Sequence, residues 1–101
     1  MQNPIKFGAD LVIHSATKYL SGHGNITAGV LCGNDDYLMQ EAIEYRKWAG
    51  HFLSPDDAYR LGSQLKSFDL RFKKHCENAM ELASYLESHP QIEYVLYPGL
   101  E

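Results

Sequence analysis

Lys18 and the hydroxyl residues just before it are the part of the sequence whose types and spacing could do chemistry. The lysine follows the apolar run 9–13, and Ser15 and Thr17 lie between the two. Burying an ammonium is costly, and a desolvated lysine loses its proton readily and attacks carbonyl carbons. The hydroxyls, and the glycines that follow the lysine, allow close approach to a phosphate. A lysine amine beside phosphate donors is what a pyridoxal phosphate (PLP) site requires.

The same residues also fit a plainer interpretation, and the residues alone favour neither. Lys18 would then be a surface lysine in a loop between two strands, with Ser15 and Thr17 as ordinary turn residues. Two other phosphate motifs fit poorly. The run Gly22-x-Gly24-x-x-Thr27 lacks the third glycine of a dinucleotide fingerprint, and the pattern predicts that a strand follows it rather than a helix. A P-loop would place its lysine after the glycines.

Two apolar runs, 9–14 and 27–32, predict the strands that hold this loop. Nearly every position in them is apolar, which favours burial on both faces of a sheet. A third strand is predicted over 93–97, before Pro98-Gly99.

Helices are predicted after the second strand. The polar run 34–36 begins one that ends near Gly50. Ser54, with Pro55 after it, begins another. Apolar residues then recur at spacings of three, four and seven with no proline before Pro90. This pattern predicts one continuous helix of roughly thirty residues, or about 45 Å.

The composition narrows the function classes. The chain has 101 residues and a net charge of −4, which argues against a nucleic-acid surface. It has no apolar stretch of the roughly 18 residues that a membrane span needs, and its start lacks the pattern of a secretory signal. Cys32 and Cys76 are interpreted as reduced thiols, which favours the cytoplasm. No histidine or cysteine pair has metal-ligand spacing, so no metal site is expected.

The predicted order of elements is strand, site loop, strand, helix, long helix, strand. This order is typical of part of an α/β protein, because two buried strands do not make a complete sheet. We therefore expect a fragment or a truncated relative of something larger.

The run 8–23 closely resembles the lysine signature of the cystathionine γ-synthase, cystathionine β-lyase and methionine γ-lyase family, the PLP enzymes of Cys/Met metabolism. Further similarity covers essentially the whole chain, at 2–4, 54–58, 65–71, 75–79 and 95–100. The chain departs from the family in two places. Gly24-Asn25 stands where Ser-Asp is common, and the run 63–68 replaces Arg-Gly-Leu-Lys-Thr-Leu.

The resemblance implies a fragment of an aspartate-aminotransferase-like (PLP fold type I) domain with two or three strands and a long helix. Residues 1–53 would be the C-terminal part of the PLP-binding large domain. Residues 54–101 would hold the long linking helix and the start of the C-terminal domain. Lys18 would be the catalytic Schiff-base lysine that forms the internal aldimine, and Ser15 and Thr17 would contact the cofactor phosphate.

The resemblance also implies a small amino-acid substrate containing sulfur and a homo-oligomeric enzyme. The family's ring-binding aspartate, ring-stacking tyrosine and substrate-carboxylate arginine have no counterpart in the chain, so we expect little or no activity from it alone. The alternative is a non-catalytic remnant that acts only as a self-associating structural module, because an incomplete sheet leaves apolar surface exposed.

Overall fold

A computed structural model describes residues 2–100 of the chain. The chain divides between Lys66 and Ser67 into two compact units. The domain boundary predicted at 53/54 concerns the whole enzyme and stays a prediction.

The first unit is built on a two-stranded antiparallel sheet of β1 (Leu11–Ser15) and β2 (Gly29–Gly33), preceded by a 3₁₀ turn over Pro4–Phe7. Leu11 pairs with Gly33, and Ser15 pairs with Gly29. Both strands lie where the apolar runs predicted them, shifted by one or two residues towards the C-terminus.

The predicted burial of both sheet faces is wrong for this chain. Ile13 is 79% exposed and Leu11 is 38% exposed. Among residues 2–100 the sheet has two strands, and α1 (Asp36–Ala49) packs mainly against β2, so much of the apolar surface stays open.

The capping residues place the helices as predicted. The Asp35 carboxylate accepts a hydrogen bond from the Leu38 N–H at 2.9 Å, and Gly50 ends α1 with φ +73°. The second helix, α2 (Pro55–Leu65), begins where the Ser54 hydroxyl accepts from the Asp57 N–H at 3.1 Å.

The prediction of one continuous helix from Pro55 is wrong. α2 ends at Leu65, and α3 (Phe68–Glu87) begins after Ser67. At the break the Lys66 N–H donates to the Ser63 carbonyl, and Ser67 leaves helical angles with φ −102° and ψ 4°. Serine suits helix ends better than helix interiors, so the break falls at a residue that tolerates it.

The second unit holds α3, and within it the predicted third strand is also wrong. Residues 93–97 form no strand, because among the described residues no neighbouring strand offers them hydrogen bonds. Ala83 is the buried apolar residue of α3, whereas Leu70 is 77% exposed.

The small core of the first unit lies beneath the lysine loop. Ala16, Ile26 and Leu61 form its buried centre. The partly buried residues packed against them are Leu20, Ala28, Val30 and Leu53. The loop is therefore anchored to the best-packed part of the chain.

Across residues 2–100, no helix is both long enough and apolar enough to cross a membrane.

Candidate cofactor site

Lys18 lies on a single π-helical turn, Ala16–Leu20, which we call the lysine turn. It follows directly from the end of β1. Lys18 departs from helical angles within this turn, with φ −92° and ψ −119°. Its side chain is exposed, and its amine has no hydrogen bond or ion pair among residues 2–100. Of the two interpretations that the sequence left open for this lysine, a buried and a surface side chain, the described residues show an exposed one.

Thr17 ties the lysine turn to the strand beside it. Its hydroxyl oxygen accepts a hydrogen bond from the Ala28 N–H at 3.0 Å, and the hydroxyl lies 3.4 Å from the Ala28 carbonyl, to which it donates. The backbone N–H groups of Ala16 and Thr17 also donate to this carbonyl, at 2.8 and 3.3 Å. The start of the turn is thus fixed against a residue eleven positions away in sequence.

Ser21 closes the other end of the lysine turn and is completely buried, at 0% exposure. Its hydroxyl donates to the Thr17 carbonyl at 3.0 Å and, more weakly, towards the Lys18 carbonyl at 3.4 Å. Its backbone N–H donates to the Ala16 carbonyl at 3.0 Å. His23 extends the network, since its Nδ1 lies 2.7 Å from the Ser21 carbonyl and must donate to it.

Ser15 is the last residue of β1 and is exposed. Its hydroxyl makes no hydrogen bond within the described part of the chain. The structure therefore brings Ser15, Thr17 and Lys18 together at one end of the sheet. Within the described residues the Ser15 hydroxyl and the Lys18 amine have no hydrogen-bond partner, whereas the Thr17 hydroxyl is hydrogen-bonded to Ala28.

A second link joins α2 to the segment after the lysine turn. The Gln64 Nε2 group donates to the Asn25 Oδ1 atom at 3.1 Å. Both residues lie at the two places where the resemblance described above implies a departure from the family. The two departures are therefore joined by a contact between neutral amides.

An apolar hollow of about 540 Å³ lies between the sheet and α1. Ile13, Val30, Met39 and Ile43 are among its lining residues, and none of the three candidate site residues is. The candidate site is thus an open strand end and does not coincide with this hollow.

Sequence reasoning found the lysine and its two neighbouring hydroxyls by residue type. It missed Ser21, because a serine between Leu20 and Gly22 is typical of an ordinary turn. It also missed Ala28, since the partner of Thr17 is a backbone group. The two cysteines are free and exposed, and within residues 2–100 no group of three acidic, histidine or cysteine side chains could hold a metal ion.

Comparison with known proteins identifies the family. Residues 1–101 match the family described as Cys/Met metabolism PLP-dependent enzyme. The chain belongs to this family, whose members include lyases and synthases.

Two curated relatives show the level of similarity. L-methionine gamma-lyase of Treponema denticola is 42% identical over 102 residues, which cover 100% of this chain and 25% of the relative. Cystathionine beta-lyase of Coxiella burnetii is 44% identical over 101 residues, covering 99% of this chain and 26% of the relative. The chain thus spans about a quarter of the length of the curated relatives it matches.

A solved structure agrees with the fold. The crystal structure of cystathionine gamma synthase from Xanthomonas oryzae pv. oryzae, in complex with aminoacrylate and cysteine, superposes with a TM-score of 0.91 at 38% identity. The match covers 98% of this chain and 26% of that one. The chain is therefore an α/β fragment of a PLP-dependent enzyme fold.

Proposed function

We propose that this chain carries the cofactor lysine of a transsulfuration-type enzyme, a C–S lyase or γ-synthase acting on sulfur amino acids, and that Lys18 is that lysine. The observation that carries the proposal is the position of Lys18: an exposed, unpaired amine on a fixed turn at a strand end, in a chain that matches the family throughout. We further propose that the whole enzyme is a cytoplasmic homo-oligomer.

The residues around Lys18 fit the chemical requirements of PLP. The cofactor needs a primary amine for its aldehyde and donors for its phosphate. Lys18 offers the amine, and Ser15 offers a hydroxyl that no neighbouring group occupies.

Thr17 also fits the role of phosphate donor. A hydroxyl has one proton and two lone pairs. Its oxygen can keep accepting from the Ala28 N–H at 3.0 Å while its proton turns from the distant Ala28 carbonyl to a phosphate oxygen. Only the weaker contact is then lost, and no backbone N–H is left unpaired.

Each residue then has a defined part in the reaction. Bound PLP withdraws electrons and so stabilises negative charge on the carbon next to the substrate amine. Lys18 would hold the cofactor through its amine, and the same amine, when free, would accept and return protons at the substrate carbons. Ser15 and Thr17 hold the phosphate so that the cofactor keeps its place during these steps.

An absorbance titration with added PLP tests the role of Lys18. The unmodified chain should gain a visible band that Lys18→Ala lacks. Lys66→Ala, which removes an exposed lysine from the end of α2, should keep the band. Bands of equal strength in all three proteins would refute a specific role for Lys18. We expect weak binding and no turnover, because the chain spans about a quarter of its relatives.

A second candidate function is self-association as a structural module, and the exposed apolar surface favours it. Ile13 is 79% exposed, Trp48 is 87% exposed and Leu70 is 77% exposed. Large apolar side chains left exposed in this way favour contact with another protein surface.

Sedimentation over a range of concentrations tests self-association. The unmodified chain should shift to larger species as its concentration rises, and Trp48→Glu should weaken the shift because it places a charge on the exposed apolar surface. A well-behaved monomer at every concentration would exclude this candidate.

A further inference from the structure

We infer that Ser21 is a positioning residue for the cofactor lysine, which it holds through the backbone of the lysine turn. This inference rests on the proposed role of Lys18. Ser21 would act without touching the reacting groups, because its hydroxyl bonds to backbone carbonyls and not to the Lys18 amine or to the Ser15 and Thr17 hydroxyls.

The burial of Ser21 is the first observation. Its side chain is 0% exposed, and among residues 2–100 it is the one polar residue that is buried. Burying a hydroxyl is unfavourable unless the hydroxyl is hydrogen-bonded. Here it is bonded, and its acceptors are the carbonyls of Thr17 and Lys18.

The placement of these carbonyls is the second observation. The Thr17 carbonyl belongs to the peptide group that leads into Lys18, and the Lys18 carbonyl belongs to the one that leads out. The Gly22 N–H also donates to the Lys18 carbonyl, at 2.8 Å. The two peptide planes that set the direction of the Lys18 side chain are thus held by Ser21 and its neighbour.

The backbone of Lys18 shows why such support matters. Its ψ of −119° lies outside the helical range. The Ser21 N–H donates to the Ala16 carbonyl, so the Ser21 hydroxyl supplies the hydrogen bond that the Thr17 carbonyl would accept from that N–H in a regular α-helix. Losing it would let the turn relax towards other angles and would change the direction in which the Lys18 side chain leaves the backbone.

The test is the selectivity of covalent labelling by PLP. The Lys18 amine and the cofactor aldehyde condense with loss of one water, and borohydride then adds hydride to give a stable secondary amine. Peptide mapping by mass spectrometry gives the ratio of label on Lys18 to label on Lys66, another exposed lysine. In the unmodified chain this ratio should be well above one.

Ser21→Ala should lower the ratio about fivefold, the effect of losing one hydrogen bond of ordinary strength. The matched control is Ile26→Val, which removes one carbon from the same core and costs a similar amount of stability. Both proteins are labelled well below their unfolding midpoints. Because a merely structural loss would affect them alike, the control should keep the ratio of the unmodified chain.

Ser21→Cys covers the case in which the alanine variant does not fold. It keeps a side chain of similar shape with a weaker donor, so its ratio should fall between those of the unmodified chain and Ser21→Ala. Equal ratios in the Ser21 variants and Ile26→Val would overturn the inference and leave the role of Lys18 intact. A ratio near one in the unmodified chain would overturn both.

Discussion

The Thr17 hydroxyl has two roles: it hydrogen-bonds the lysine turn to Ala28, and it is proposed to bind the cofactor phosphate. Thr17→Val keeps the shape of the side chain but leaves the part-buried Ala28 N–H without its side-chain acceptor. We expect a loss of about 1–3 kcal/mol in the free energy of unfolding. Chemical denaturation followed by circular dichroism measures it.

Thr17→Ser is the matched control. It keeps the hydroxyl and loses one methyl group, which costs about 0.8 kcal/mol or less at a partly buried position. If the valine and serine variants were equally stable, the hydrogen bond from the Ala28 N–H would contribute nothing, and the description of Thr17 as a link would be wrong.

For single residues, the side chains that could react or bind phosphate were easier to predict than the side chain that holds the lysine turn in place. Lys18, Ser15 and Thr17 were predicted as site residues from their types and their place after an apolar strand, and their roles stay a prediction. Ser21 could not be predicted in this way, since its role depends on complete burial and on carbonyls that only the fold brings near it.

Among the elements, β2 contains two glycines in different surroundings. A Cβ atom at Gly33 would lie 2.8 Å from Leu11 Cδ2, 3.1 Å from the Asp10 carbonyl oxygen and 3.2 Å from Met39 Sδ. The carbonyl belongs to the backbone and cannot easily move away. We expect Gly33→Ala to destabilise the chain by about 1–3 kcal/mol in thermal or urea unfolding.

Gly29→Ala in the same strand is the control for Gly33. Its nearest neighbour would be the His14 carbonyl oxygen at 4.0 Å, so the new methyl group has room. Because glycine weakens a strand, alanine there should be neutral or stabilising by up to about 1 kcal/mol. Equal losses at Gly29 and Gly33 would contradict the described packing of Asp10 and Met39 at the end of β2.

Element starts were predictable where a side chain caps a helix, as Asp35 and Ser54 do. The strands were predictable from their apolar runs. The break at Ser67 was not, because the apolar spacing continues across it and the sequence contains no proline or glycine there. The strand predicted over 93–97 failed for a different reason: a strand needs a neighbour, and a sequence pattern does not reveal whether one is present.

At the scale of the whole molecule, the exposed apolar side chains are consistent with a chain that matches the family but spans about a quarter of the length of its curated relatives. The sheet has two strands, and the candidate site lies at an uncovered strand end. The chain spans about a quarter of the length of the curated relatives it matches, and the proposed site would need further walls from residues outside the chain. The sequence predicted this incompleteness from its small number of strands. It left the exposure of Lys18 open, because the residues alone fit a buried and a surface lysine equally well.

The central claim is that the fold selects Lys18 among the six lysines of the chain. The most direct measurement is borohydride trapping of PLP with peptide mapping, performed on the folded chain and on the same chain unfolded in urea. In the folded chain Lys18 should carry several times the label of every other lysine, and in urea this preference should vanish. Label spread evenly over all six lysines of the folded chain would contradict the account.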